Sequence, residues 1–210
     1  MYDMLSFAAG VMLSISFLEL IPESLNLAGP WLTVAGIVVG SLLIYFVDVL
    51  VPHIHPELCG QEHGRNLKKT AIYLLLGIGL HNFPEGMAIA IGTVTDLRAS
   101  IAVALAIAIH NIPEGICTSA PYFHSTGQRL NSFLLSSLTA IPIVLGFITA
   151  YYLFQNIPPS VVGFIIAVTA GLMIYICADE LIPFSAQGQG HSTIFTLILG
   201  VVFLILLGLI

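Results

Sequence analysis

Two copies of one hexapeptide hold the side chains best able to do chemistry: His81-Asn82-Phe83-Pro84-Glu85-Gly86 and His110-Asn111-Ile112-Pro113-Glu114-Gly115. Each offers an imidazole, an amide and a carboxylate. That donor mixture suits Zn2+, Fe2+ or Mn2+ better than Ca2+ or Cu+, and does not choose among the three. Residues four apart share a helix face, so His81 projects with Glu85 and His110 with Glu114. Pro84 and Pro113 lack an N–H and displace the carbonyls of Leu80 and Ile109. At membrane depth such carbonyls persist only where protein, water or an ion satisfies them. Gly86 and Gly115 admit a neighbouring backbone.

The elements that must position these residues are apolar. The 210-residue chain is 58% hydrophobic and 8% charged, where soluble domains carry roughly 25% charge. With a mean hydropathy of +1.03, this is an all-α, polytopic membrane protein in the lipid bilayer, a single transmembrane domain over residues 1–210. Five Lys+Arg and a net charge of −6 argue against nucleic acid as a partner. Cys59, Cys117 and Cys177 are odd in number and widely spaced, so no disulfide framework is indicated. The opening Met1-Tyr2-Asp3 has no basic residue, so a cleaved signal peptide is not expected.

A span needs about 20 mostly apolar residues, which predicts seven helices at 4–21, 32–51, 70–91, 99–119, 132–154, 161–181 and 193–210. Basic residues stay on the cytoplasmic side in short loops. Arg65, Lys68, Lys69 and Arg129 fall in loops of one set and Arg98 in the other. The N-terminus is therefore predicted inside and the C-terminus outside. His81 and His110 lie fourteen and fifteen residues from Thr95 in the intervening turn, so both sit about 20 Å from it at 1.5 Å per residue. At that matched depth the two sets of side chains are able to converge on one metal site. The apolar residues of 70–91 contribute only roughly −4 kcal/mol to insertion, and one central acidic residue costs about +2.5 to +3.5. The polar face of that helix must therefore be buried against partners or metal.

A second repeat, Glu19-Leu20-Ile21-Pro22 and Glu180-Leu181-Ile182-Pro183, ends the first and sixth predicted helices with opposite orientation. That is the signature of an inverted-repeat transporter with a central metal site. The second copy lies in the middle helix of a trailing triplet and the first copy opens a leading pair. By that symmetry the leading half is one helix short, and the absent helix precedes Met1.

At these residues the chain resembles the ZIP (zinc/iron permease) family, in its bacterial zinc-uptake branch. The resemblance extends over Ala8-Ala9-Gly10-Val11-Met12-Leu13, the Glu19–Glu23 segment, His53-Ile54-His55-Pro56 and Asp179-Glu180-Leu181-Ile182-Pro183. It implies an eight-helix fold lacking its first helix here. It also implies uptake of divalent metal into the cytoplasm without ATP, across the cell (inner or plasma) membrane, by a protein that is not an enzyme and needs no catalytic cofactor. The ion is cargo: Zn2+, with Fe2+ or Mn2+ as alternatives, bound by His81, Asn82, Glu85, His110, Asn111 and Glu114. Glu85 and Glu114 would bridge two ions, Met12 would add a soft ligand, and a homodimer is the assembly considered. Many members complete a second metal site with a glutamate on the next helix, whereas no acidic residue occurs between Arg129 and Gln155 and Pro142 stands where it is expected. One dominant metal is therefore predicted.

Lesser candidates flank this centre. His53, His55, Glu57, Cys59, Glu62 and His63 crowd the predicted cytoplasmic loop, at spacings suited to transient zinc capture. Glu19 and Glu23 sit near the predicted outer surface, Asp179 and Glu180 near the inner one, as vestibules that attract cations. Two other function classes remain open on the residues alone. An intramembrane zinc hydrolase would bury similar ligands, but no His-Glu-x-x-His pair occurs. A metal sensor would bind without transporting.

Overall fold

The computed structural model describes residues 2–50, 82–90, 97–155, 157–188 and 191–209, apart from a few side chains that include those of Asp48, His110, Glu114, Cys117 and His124. Every regular element among them is helical. In chain order they are α1 (Tyr2–Ser14), a π-helical turn (Ile15–Leu20), α2 (Ile21–Leu50), α3 (82–90), α4 (Leu97–Thr126), α5 (Arg129–Leu138) and α6 (Ile141–Phe154). There follow α7 (Pro159–Ile176), a second π turn (Cys177–Leu181), α8 (Ile182–Ser185) and α9 (Ser192–Leu207).

Several connectors are shorter than the sequence predicts. Pro22 does not end the first helix: α2 continues to Ala28 and turns at Gly29, whose φ of 74° favours glycine. Pro30 follows as the first residue of the next limb. The corner is tied by Ser24 and Thr33, whose hydroxyls lie 2.8 Å apart, and by Ser24 donating to Gly163 O at 2.8 Å. Likewise α4 runs on to Thr126 and turns at Gly127, φ 68°. Segments Tyr2–Phe46, Arg129–Leu153 and Pro159–Ser185 are long and apolar enough to cross a membrane. Trp31, 84% exposed beside the corner, suits an interfacial anchor.

The two Glu-Leu-Ile-Pro segments have the same local structure. Each is a π turn closed by an i→i+5 bond, Ile21 N–H to Ser16 O and Ile182 N–H to Cys177 O. The cause is the following proline, which has no N–H and crowds the carbonyl four residues back, Leu18 for Pro22 and Asp179 for Pro183. Widening one turn absorbs that mismatch. In this register Ala9-Gly10, Met12, Ile15 and Ser24 correspond to Ala170-Gly171, Met173, Ile176 and Ser185, so the repeat is much longer than the four residues first visible.

Packing repeats with it. A Cβ on Gly10 would strike Leu197 O of α9, and one on Gly171 would strike Ile37 O of α2; Gly200 faces Phe7 O, and Gly40 faces Val168 O, the repeat mate of Phe7. One interface, parallel helices brought together at glycines, therefore occurs twice, as α1 with α9 and as α7 with the second limb of α2. Close backbone approach of this kind supplies van der Waals contact where lipid offers no hydrophobic drive. The two units run in opposite directions. The Tyr2 ring meets that of Phe184 at 5.4 Å, and the Cys177 thiol points at Ala9 O, 3.9 Å away, so α1 is antiparallel to α7. Met12, Ile15, Leu20, Met173, Ile176 and Leu181 are buried in the core between them.

Candidate metal centre

α3 and α4 are antiparallel neighbours, the end of one tied to the start of the other by the Ser100 hydroxyl, which donates to Ile89 O at 2.9 Å. Asn82 lies seven residues back from Ile89 and Asn111 eleven forward from Ser100. The two asparagines are thus offset by about four residues, ~6 Å, along the helix axes.

The described polar side chains of the two hexapeptides, Asn82, Glu85 and Asn111, are turned into protein. Glu85 is fully buried and Asn82 is 2% exposed; Asn111 is half-buried. The Oδ1 atoms of Asn82 and Asn111 are buried and accept no hydrogen bond. A buried amide oxygen left without a donor costs about 1–3 kcal/mol, and a buried carboxylate costs more unless compensated. A cation placed among them supplies what the two amide oxygens lack, so the described residues fit a divalent metal as cargo.

α3 is held by the fifth span. Gly86 lies under Ile143 O of α6, and Gly146 of α6 lies under Phe83 O, so the backbones cross at two glycines. One turn away, Asn82 Nδ2 donates to Thr139 O at 2.7 Å. The span predicted as one helix over 132–154 is two, α5 and α6, with a turn at Thr139–Ala140. Pro142 causes the break, because it cannot donate to Leu138 O and its ring crowds that carbonyl. Gly115 of α4 faces α5, with Ser136 Oγ donating to Gly115 O at 3.0 Å.

The remaining candidates are spread more widely. His110 and Glu114 lie on the α4 backbone with side chains outside the described residues; His81, His53, His55 and the rest of the 52–69 loop are also outside them. Among the described residues no three His, Cys, Asp or Glu side chains form a metal-binding group. Met12 is fully buried. Glu19 and Glu180 are half-buried in the two π turns, and Asp179 is exposed. Sequence reasoning missed Met173, the fully buried mate of Met12, and Thr139, the backbone partner of Asn82. Extending the Glu-Leu-Ile-Pro alignment upstream finds Met173. No residue type signals a backbone carbonyl, so Thr139 had no such trace.

Comparison with known proteins matches residues 56–208 to the family model described as ZIP zinc transporter. The chain is also similar to the zinc transporter ZupT of Enterobacter sp. (strain 638), 38% identical over 190 residues, covering 87% of this chain and 74% of the relative. With the same coverage it is 37% identical to zinc transporter ZupT of Escherichia coli O7:K1 and 36% to that of Salmonella newport (strain SL254).

Proposed function

Because the chain belongs to the ZIP zinc transporter family, and is accordingly a transporter and not an enzyme, we propose that it carries Zn2+ across the bacterial inner membrane into the cytoplasm without ATP. The observation that carries this reading is the buried Asn82–Glu85 pair on one turn of α3, with Asn82 Oδ1 lacking any donor. His81, His110, Asn111 and Glu114 complete the ligand set. Protein oxygen and nitrogen atoms replace the hydration shell of the ion at mid-bilayer, where a bare charge is costly. Fe2+ and Mn2+ share the donor preference and are competing cargo.

Orientation follows from the basic residues, with Arg65, Lys68, Lys69 and Arg129 inside. Arg98 and Arg129 flank opposite ends of the 30-residue α4, in keeping with one residue on each side of the membrane. The N-terminus of the chain is then cytoplasmic and its C-terminus external. A homodimer belongs to the same reading and is checked by crosslinking in native membranes.

Zinc flux into liposomes containing the purified full chain tests the function. Flux is expected for the native chain and lost in Glu85→Ala and Glu114→Ala. Native flux in both variants would overturn the site assignment, and competition by Fe2+ and Mn2+ ranks the cargo.

A further inference from the structure

We infer that Pro142 is a positioning residue for Asn82, acting through the carbonyl of Thr139. The inference rests on Asn82 belonging to the metal site proposed above.

An asparagine side chain has a donor end and an acceptor end of nearly the same size. Presented with a cation, only the oxygen end is useful, and something must decide which end faces it. Thr139 O can only accept, so the atom 2.7 Å from it is the amide nitrogen. That contact turns Oδ1 away from α5, to where it is buried without a hydrogen-bond partner on a side chain only 2% exposed. The donor end is used up and the acceptor end is left for a ligand that is itself electron-poor.

Thr139 O is available only because the fifth span is broken. In a continuous α-helix it would accept from the N–H of Ile143, four residues on. Here Ile143 N–H donates to Ala140 O at 3.2 Å, and Ala140 N–H to Ser137 O at 3.2 Å, both in tightened i→i+3 turns. The break sits where Pro142 has removed the bond to Leu138 O and crowded that carbonyl. The glycine crossing of Gly86 with Ile143 and Gly146 with Phe83 then fixes the distance between Asn82 and this carbonyl. The fifth span supplies no carboxylate to the ion. Its contribution is the orientation of a ligand on its neighbour, as partners behind metal ligands commonly do.

The test is a binding cycle on the full chain in detergent, by calorimetric titration with Zn2+ alone. Pro142→Ala restores an N–H and lets the helix close over Thr139 O. It is expected to weaken zinc binding about 10- to 100-fold, the usual cost of losing such a partner. Asn82→Ala is expected to weaken it at least as much, and Asn82→Ala with Pro142→Ala no further, because both remove one interaction. Additive losses, or native affinity in Pro142→Ala, overturn the inference.

Asn82→Asp supplies a second, opposite-signed test. A carboxylate cannot donate to Thr139 O and is repelled by it, so this variant is expected to bind zinc worse than native despite its charge. Adding Pro142→Ala, which engages Thr139 O within the helix, is expected to restore binding. A merely structural proline predicts no such rescue. If Pro142→Ala does not fold, Asn82→Asp alone decides, and native or tighter binding there defeats the idea. Glu85→Ala separates the two layers: unchanged zinc binding defeats the site itself. Lost binding in Glu85→Ala together with an additive Asn82–Pro142 cycle defeats only the positioning role.

Discussion

Met12 and Met173 fall within one residue of the same level on antiparallel α1 and α7, in the register set by Tyr2 against Phe184 and Cys177 against Ala9. They are repeat mates, each seven residues before the glutamate of a Glu-Leu-Ile-Pro turn, and both are fully buried. The centre of the inverted repeat therefore passes between two thioethers.

Their equivalence separates packing from ligation. Met12→Leu and Met173→Leu conserve volume and are expected to cost under about 1.5 kcal/mol each in stability. If Met12 is a soft ligand, only Met12→Leu lowers zinc affinity. Thermal unfolding in detergent and zinc titration on both variants check this; equal affinity in the two assigns Met12 to packing alone.

The doubled glycine interface predicts doubled sensitivity. Gly10→Ala and Gly171→Ala each drive a methyl into a backbone carbonyl on the partner helix. Both are expected to destabilise by about 1–3 kcal/mol, the usual cost of overpacking. Gly115→Ala meets only Ser136 Oγ, at 3.1 Å, a side-chain atom able to rotate, and should cost clearly less. Melting temperatures of the three variants, compared pairwise, test the ranking.

Ser24 holds the α2 corner with two hydrogen bonds, to Thr33 and to Gly163 O. Ser24→Ala should destabilise by about 1 kcal/mol and loosen the corner at Gly29. Faster hydrogen exchange at the amides around Gly29 and Gly163 is the signature. Native exchange rates there would show that the corner is held by packing.

One tightly bound zinc per chain is expected, because the fifth span has no acidic side chain between Arg129 and Gln155 with which to share a second ion. Anomalous scattering at low metal concentration, showing two fully occupied ions, would refute it.

Much of this was legible in the chain. Apolar spans, the hexapeptides and the Glu-Leu-Ile-Pro pair follow from residue type and spacing, because bilayer thickness and helical periodicity are fixed. Less legible were the ends of helices. Pro22 and Pro142 are the same residue in similar apolar surroundings, yet the chain stays helical through a π turn at Pro22 and breaks before Pro142. A proline fixes only its own φ and the loss of one donor; whether the helix widens or breaks depends on what neighbouring helices hold in place. The π turn at Pro22 packs against α7, whereas the break before Pro142 leaves a carbonyl that Asn82 takes up.

The sequence by itself determined that imidazole, amide and carboxylate groups recur at fixed spacing within apolar spans, because those identities and their spacing are written in residue types. Only the tertiary structure decided which end of Asn82 is left without a hydrogen bond, and that one helix interface is used twice in opposite directions. Both depend on backbone carbonyls, at Thr139, Leu197 and Ile37. Every residue carries such a group, and only the packed fold distinguishes one from another.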